Sequence, residues 1–311
     1  MYPLRNWEAV IGSGTRPVSA EDMSLASHLG GLSKGAVTIS PLITDQQSSK
    51  FNISRAFTNT GGADLSVNEI GIQTGRQDEF TRTPYTLLAR DVLEAPLALP
   101  ATKTLTLDYE ILTQIENFNQ DTALHGSNGG FTEAFTSMLR SLAVSDNSDS
   151  YHTQYFLSLF PGGGGGYMER SGNPIPGWKF GIRLGASSKF VSMTDTDLSP
   201  DATDQTPYDV GGIAHGTGDG LLVHHGMVAD DAPVIDLEAN QAWFNLHRIF
   251  ENKGTVPITV KEIGIYGNSK STYNYDFTPT LIARRALAPA DQFTIQPGQA
   301  IQVTFTIKAV V

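Results

Sequence analysis

The chain has 311 residues, length for about two domains, and carries a net charge of −11 with no cysteine. Zero cysteine excludes disulfide staples, thiolate zinc sites and cysteine nucleophiles together. Charged residues make up only 17% against 40% apolar, with 31 Gly and 16 Pro, the composition of strands joined by turns.

No apolar run approaches the roughly 18 residues of a membrane-spanning helix, so a membrane protein is not expected. The N-terminus, Met1 to Trp7, lacks a basic stretch followed by an apolar one, and no signal peptide is expected there. A phosphate backbone requires a basic footprint, and no Lys/Arg cluster occurs, so nucleic acid is not an expected partner.

The first candidate strand runs through Phe51, Ile53, Arg55 and Phe57, which alternate with Asn52, Ser54, Ala56 and Thr58. Asn59-Thr60-Gly61-Gly62 then supplies turn chemistry. Leu65 and Val67 continue the alternation, but Ile70 and Ile72 fall in the opposite phase. A β-bulge or bend at Glu69 would switch the inward face there. After a turn at Pro100, Leu105, Leu107, Tyr109 and Ile111 alternate with Thr104, Thr106, Asp108 and Glu110.

This pattern occurs twice. Phe51 to Gln73 aligns with Phe244 to Tyr266 at an offset of 193, with eleven identities in twenty-three positions. Among them are Arg55/Arg248, Asn59/Asn252, Glu69/Glu262 and Gly71/Gly264. Leu87 to Arg90 matches Leu281 to Arg284 downstream. Upstream, Gly12, Asp22 and Leu25 match Gly185, Asp195 and Leu198, and Gly30-Gly31 matches Gly211-Gly212. Repetition at this level marks a duplicated supersecondary unit.

The expected fold is therefore mainly β: two tandem antiparallel β-sandwich, jelly-roll-like modules joined by a helix-containing connector. Residues 1–112 form the first module, 113–177 the connector and 178–311 the second. In the connector, Phe131, Phe135, Met138, Leu139 and Leu142 share one helical face, predicting an amphipathic helix near 131–144 after the turn residues Asn128-Gly129-Gly130. Gly162 to Gly166 reads as a flexible loop.

Four charged residues stand out. Arg55 and Arg248 sit in phase with flanking Phe on the inward face, and Glu69 and Glu262 lie near the diagonal position across a hairpin. A buried Arg is normally paired, so the pairs Arg55–Glu69 and Arg248–Glu262 are expected as internal ion pairs fixing register, with ligand binding as the alternative use. Asp195, Asp197 and Asp201 resemble a calcium loop, but Pro200 and Thr206 occupy the places that need Gly and an acid. A solvated loop is the first reading and a calcium site the alternative; the Asp22/Asp195 match itself suggests a turn or cap. His224-His225 point to opposite faces of a strand and are not expected to share a metal. No nucleophile elbow, zincin or phosphate-loop motif occurs, so neither an enzyme nor a cofactor is expected.

The strings Ile53-Ser54-Arg55-Ala56-Phe57-Thr58-Asn59, Val67-Asn68-Glu69-Ile70-Gly71-Ile72 and Leu88-Ala89-Arg90-Asp91-Val92-Leu93, with Ile11 to Thr15 followed by Asp22 and Leu25, resemble a pattern in structural proteins of tailed bacteriophages. The resemblance covers most of both modules; the second departs from it at Arg285, where the first has Asp91. It implies a virion location and a head decoration, cement or tail-associated subunit. Its partners would be major capsid or tail proteins and further copies of itself. The alternative is a carbohydrate-binding or host-surface adhesion module, for which Tyr2, Trp7, Tyr167, Tyr266, Tyr273 and Tyr275 are candidate aromatics.

Overall fold

The computed structural model describes residues 4–19, 22–76, 85–114, 128–144, 179–188, 191–192, 194–198, 212–229, 234–239, 241–270 and 277–310. Strands dominate, and among the described residues every pairing between named strands is antiparallel.

In the N-terminal part, β1 (Leu4–Gly12), β5 (Leu65–Arg76) and β6 (Tyr85–Leu99) form one sheet in the order β1-β5-β6. A second sheet is centred on β4 (Ser48–Asn59). It carries β2 (Leu32–Ile39) and β3 (Ile43–Thr44) along one edge and β7 (Thr104–Gln114) along the other. The alternation read from Phe51 to Phe57 is the burial pattern of β4: Phe51, Ile53 and Phe57 are fully enclosed. They meet Trp7 and Ala9 of β1, and Ile11 and Val67, from the other sheet.

The C-terminal part repeats this pairing. Strand β12 (Gln241–Glu251) carries β10 (Val223–Ala229) and β11 (Val234–Asp236) on one edge and β17 (Ala300–Val310) on the other. Strand β14 (Glu262–Lys270) lies between β9 (Gly181–Gly185) and β15 (Phe277–Ala286). Register is conserved as well: Gly12 faces Glu69 as Gly185 faces Glu262, and Phe51 faces Ile111 as Phe244 faces Ile307.

The phase slip in the sequence has the structural cause expected of it. In the first copy the β5–β6 register shifts between Val67 and Glu69. In the second the same place breaks the strand, giving β13 (Ile258–Val260), which pairs with β16 (Phe293–Ile295), before β14 begins at Glu262.

Between the two copies lie β8 (Asn128–Phe131) and the helix α1 (Glu133–Val144). The helix begins at Glu133, and the segment before it differs from the expected turn. Asn128-Gly129-Gly130 is extended rather than a turn, and Phe131 ends a strand paired with Ala283 of β15. Phe131 and Phe135 stack with centroids 4.0 Å apart and pack on the C-terminal core. Leu139 packs on the N-terminal core, Arg140 Nε donates to the Ser40 carbonyl at 2.7 Å, and Thr136 and Thr113 share a hydrogen bond. The glycine run 162–166 lies outside the described residues. Among those described, no helix is long and apolar enough to cross a membrane.

Candidate functional site

The strongest polar constellation is a buried Arg–Glu–Asp triad that occurs once in each copy. It grows from the bulge at Glu69. The shift turns this carboxylate away from the Phe51/Ile53 core and against the segment that joins β1 to β2. There Glu69 Oε1 accepts the amides of Gly14 at 3.0 Å and Ser27 at 2.7 Å, while Oε2 accepts the Ala26 amide at 3.0 Å and Arg90 Nε at 2.7 Å. Arg90 continues the chain of bonds. Its Nη1 donates to Asp22 Oδ2 at 2.8 Å and to the Pro17 carbonyl at 3.2 Å, and its Nη2 to the Arg16 carbonyl at 2.8 Å. Asp22 closes a turn by accepting the Ser19 amide at 3.0 Å, and Arg16 pairs with it from the surface.

The second copy rebuilds the triad. Arg284 Nε and Nη2 reach Glu262 Oε2 at 2.8 and 2.6 Å, and Nη1 reaches Asp195 Oδ2 at 2.7 Å. Asp195 accepts the Ser192 amide at 2.8 Å, the same turn as at Asp22.

Electrostatics follow from this saturation. Burial alone would raise the Glu69 carboxyl, but the Ser27 and Ala26 amides, the Arg90 guanidinium and the Gly14 amide outweigh it and hold the group below its usual range. At Asp22, burial is likewise outweighed, by the Ser19 amide and by Arg90 and Arg16. Arg90 is pushed up by the two carboxylates despite its own burial. The close fit also explains the paired glycines: a Cβ on Gly12 would stand 2.5 Å from Glu69 Oε1, and one on Gly185 would collide with Glu262. A Cβ on Gly71 would press on the Ala89 carbonyl and on Leu25, and one on Gly264 on Leu198.

The expected pair Arg55–Glu69 is corrected by this geometry. Strands β4 and β5 are consecutive but belong to different sheets, so no hairpin sets Arg55 diagonal to Glu69. Arg55 instead crosses to Glu8 on β1, whose other oxygen accepts Gln73 Nε2 at 2.8 Å, and its Nε donates to the Gly35 carbonyl at 3.1 Å. In the second copy Gly181 takes the place of Glu8: it pairs with Tyr266 as Glu8 pairs with Gln73, and lies 173 positions on, as Gly185 does from Gly12. Arg248 Nη1 donates to the neighbouring Ile182 carbonyl at 2.7 Å, and Glu262 is engaged by Arg284. Burial, with the nearby Arg183 cation, pushes the Arg248 guanidinium down to about 10.

The calcium alternative also changes. Asp195 is consumed by Arg284, Asp197 Oδ1 accepts the Tyr266 hydroxyl at 3.4 Å, and Asp201 lies outside the described residues. No group of three His, Asp or Glu among the described residues could hold a metal. His225 bonds Glu251 at 3.1 Å, whereas His224 is buried against Phe250 and its amide donates to His215 Nδ1. Of the candidate surface aromatics, Trp7 and Tyr266 are core residues; Tyr2, Tyr167, Tyr273 and Tyr275 lie outside the described residues.

Sequence reasoning missed Arg90 and Arg284. The signal was present: Gly12, Asp22, Glu69 and Arg90 all recur, as Gly185, Asp195, Glu262 and Arg284. What the triad can do chemically is limited. Glu69, which holds three amides and a guanidinium and is kept below its usual range, presents neither a raised pKa for acid catalysis nor a free lone pair. No protein-family model matches the chain, no curated protein matches its sequence and no solved structure matches its fold.

Proposed function

We propose that this chain is a non-enzymatic structural subunit of a tailed-phage virion, a head decoration or cement subunit or a tail or appendage component. In this reading residues 1–112 and 178–311 are tandem β-sandwich modules, residues 113–177 join them, and α1 seats one apolar residue set in each core. The protein works by packing against major capsid or tail subunits and against its own copies.

The observation that carries the reading is the duplicated triad. The recurring Arg, Glu and Asp of the scaffold are spent on anchoring the segment before β2 and its counterpart. What the duplication multiplies is framework and surface. Large Thr-rich sheet faces with few ions suit burial between subunits, because little charge has to be desolvated. The resemblance of the strings around Arg55, Glu69 and Arg90 to a pattern in phage structural proteins supports the same reading.

Identification of the chain by mass spectrometry in purified, salt-washed particles tests this. Recovery at fixed stoichiometry is the expected result, and absence from intact particles overturns it. Hydrolysis of a polysaccharide abolished by one carboxylate substitution would overturn it in favour of an enzyme.

A further inference from the structure

The two copies differ at one sheet edge. In the second, β8 adds a fourth strand outside β15, pairing Asn128 to Phe131 with Ala286 to Ala283. The Thr132 amide extends the contact to the Ile282 carbonyl at 3.0 Å. Ile282 is the extra residue of a bulge, between the paired Leu281 and Ala283, and this cover leaves it only 1% exposed.

The first copy has the same bulge. Leu88 falls between the paired Leu87 and Ala89, at the position of Ile282. Among the described residues no strand pairs with the outer edge of β6 over Leu88–Val92, and Leu88 is 45% exposed. Just before it the Leu87 amide is held by the Met23 carbonyl at 3.2 Å, so the open stretch has a defined start. An edge with unpaired amides and an exposed apolar residue is a template for strand addition.

We propose that the β6 edge, Leu88–Val92, is a docking site for an extended strand of a neighbouring subunit, bound as β8 is bound to β15. The chain itself states the chemistry of the occupant. A Cβ on Gly129 would stand 2.8 Å from the Arg284 carbonyl and 3.0 Å from the Arg285 Cα, so the incoming strand needs glycine opposite Asp91. Phe131 lies opposite Ala283, so an aromatic or large apolar residue belongs opposite Ala89 and over Leu88. The requirement for glycine disfavours a symmetric β6–β6 pairing and favours a Gly-Gly-aromatic segment.

The assembly reading enters only in naming the occupant a neighbouring subunit. Amide hydrogen exchange on the full chain decides the site itself, with a synthetic peptide of residues 128–135 as probe. In the isolated protein, amides of 88–92 are expected to exchange at least tenfold faster than those of 282–286. Millimolar peptide should slow them severalfold, and a peptide carrying Gly129→Val should not. Equal protection of both edges in the isolated chain would overturn the proposal, because the chain then covers the edge itself. No slowing, or equal slowing by both peptides, would overturn it too. Any of these would leave the chain's presence in particles unaffected. Absence from particles would remove the neighbour but not the peptide effect.

Discussion

Glu69 and Glu262 are buried beside Arg90 and Arg284, with both members of each pair essentially inaccessible to solvent. Removing one partner of such a pair strands a charge, which typically costs ~3–5 kcal/mol, against ~0–1 for an exposed pair. Glu69→Gln and Glu262→Gln should each lower stability by about that amount in denaturant titrations. Lys50→Ala, which breaks only the surface pair with Glu110, should change little. The pH dependence has a fixed sign. Glu69 and Asp22 are held below their ordinary values near 4.5 and 3.8, so their contribution is complete above those values and is lost as pH falls through the lower folded ones. Thermal midpoints should therefore decline below about pH 4, and more steeply for the parent than for Glu69→Gln.

At the scale of elements, the sequence exposed whatever depends on neighbours along the chain. The alternation in β4 and β7, the bulge at Glu69 and the turn at Asn59 all follow from local period. Asn59 and Asn252 even make the same bonds, each Nδ2 donating to two carbonyls and each Oδ1 accepting an amide two residues on. What stayed hidden was long-range. Gly14 meets Glu69 across 55 positions and Arg90 meets Asp22 across 68, and no periodicity reports such contacts. The pairing of Arg55 with Glu69 failed for the same reason: it assumed that consecutive strands share a sheet. Strand β8 was misread because glycines that permit close approach to β15 look like a turn. One local feature gives a further prediction. Thr102 has φ of 66° where the second copy places Gly298 at 75°. A left-handed conformation costs a non-glycine residue about 1–2 kcal/mol, and glycine's extra unfolded-state freedom offsets roughly 0.5–1 of it. Thr102→Gly should raise stability by about 0.5–1 kcal/mol, read as a shift in the urea midpoint at unchanged slope.

Across the whole molecule, the helix α1 joins what duplication made separate. Phe135 packs with the C-terminal core and Leu139 with the N-terminal one, so a single helix touches both. Truncating Phe135 to Ala should cost about 3 kcal/mol in the C-terminal core and weaken the coupling of the two parts on unfolding, visible as a broadened calorimetric transition. The central claim is that this scaffold exists to be packed in an assembly. A reconstruction of the intact particle, with this chain traced and its buried protein–protein area measured, tests it most directly. The account predicts at least ~1,200 Å² of interface per contact, built on sheet faces and including a neighbour's strand along β6. Burial below ~800 Å² per copy, or a particle in which the chain is missing, would contradict it.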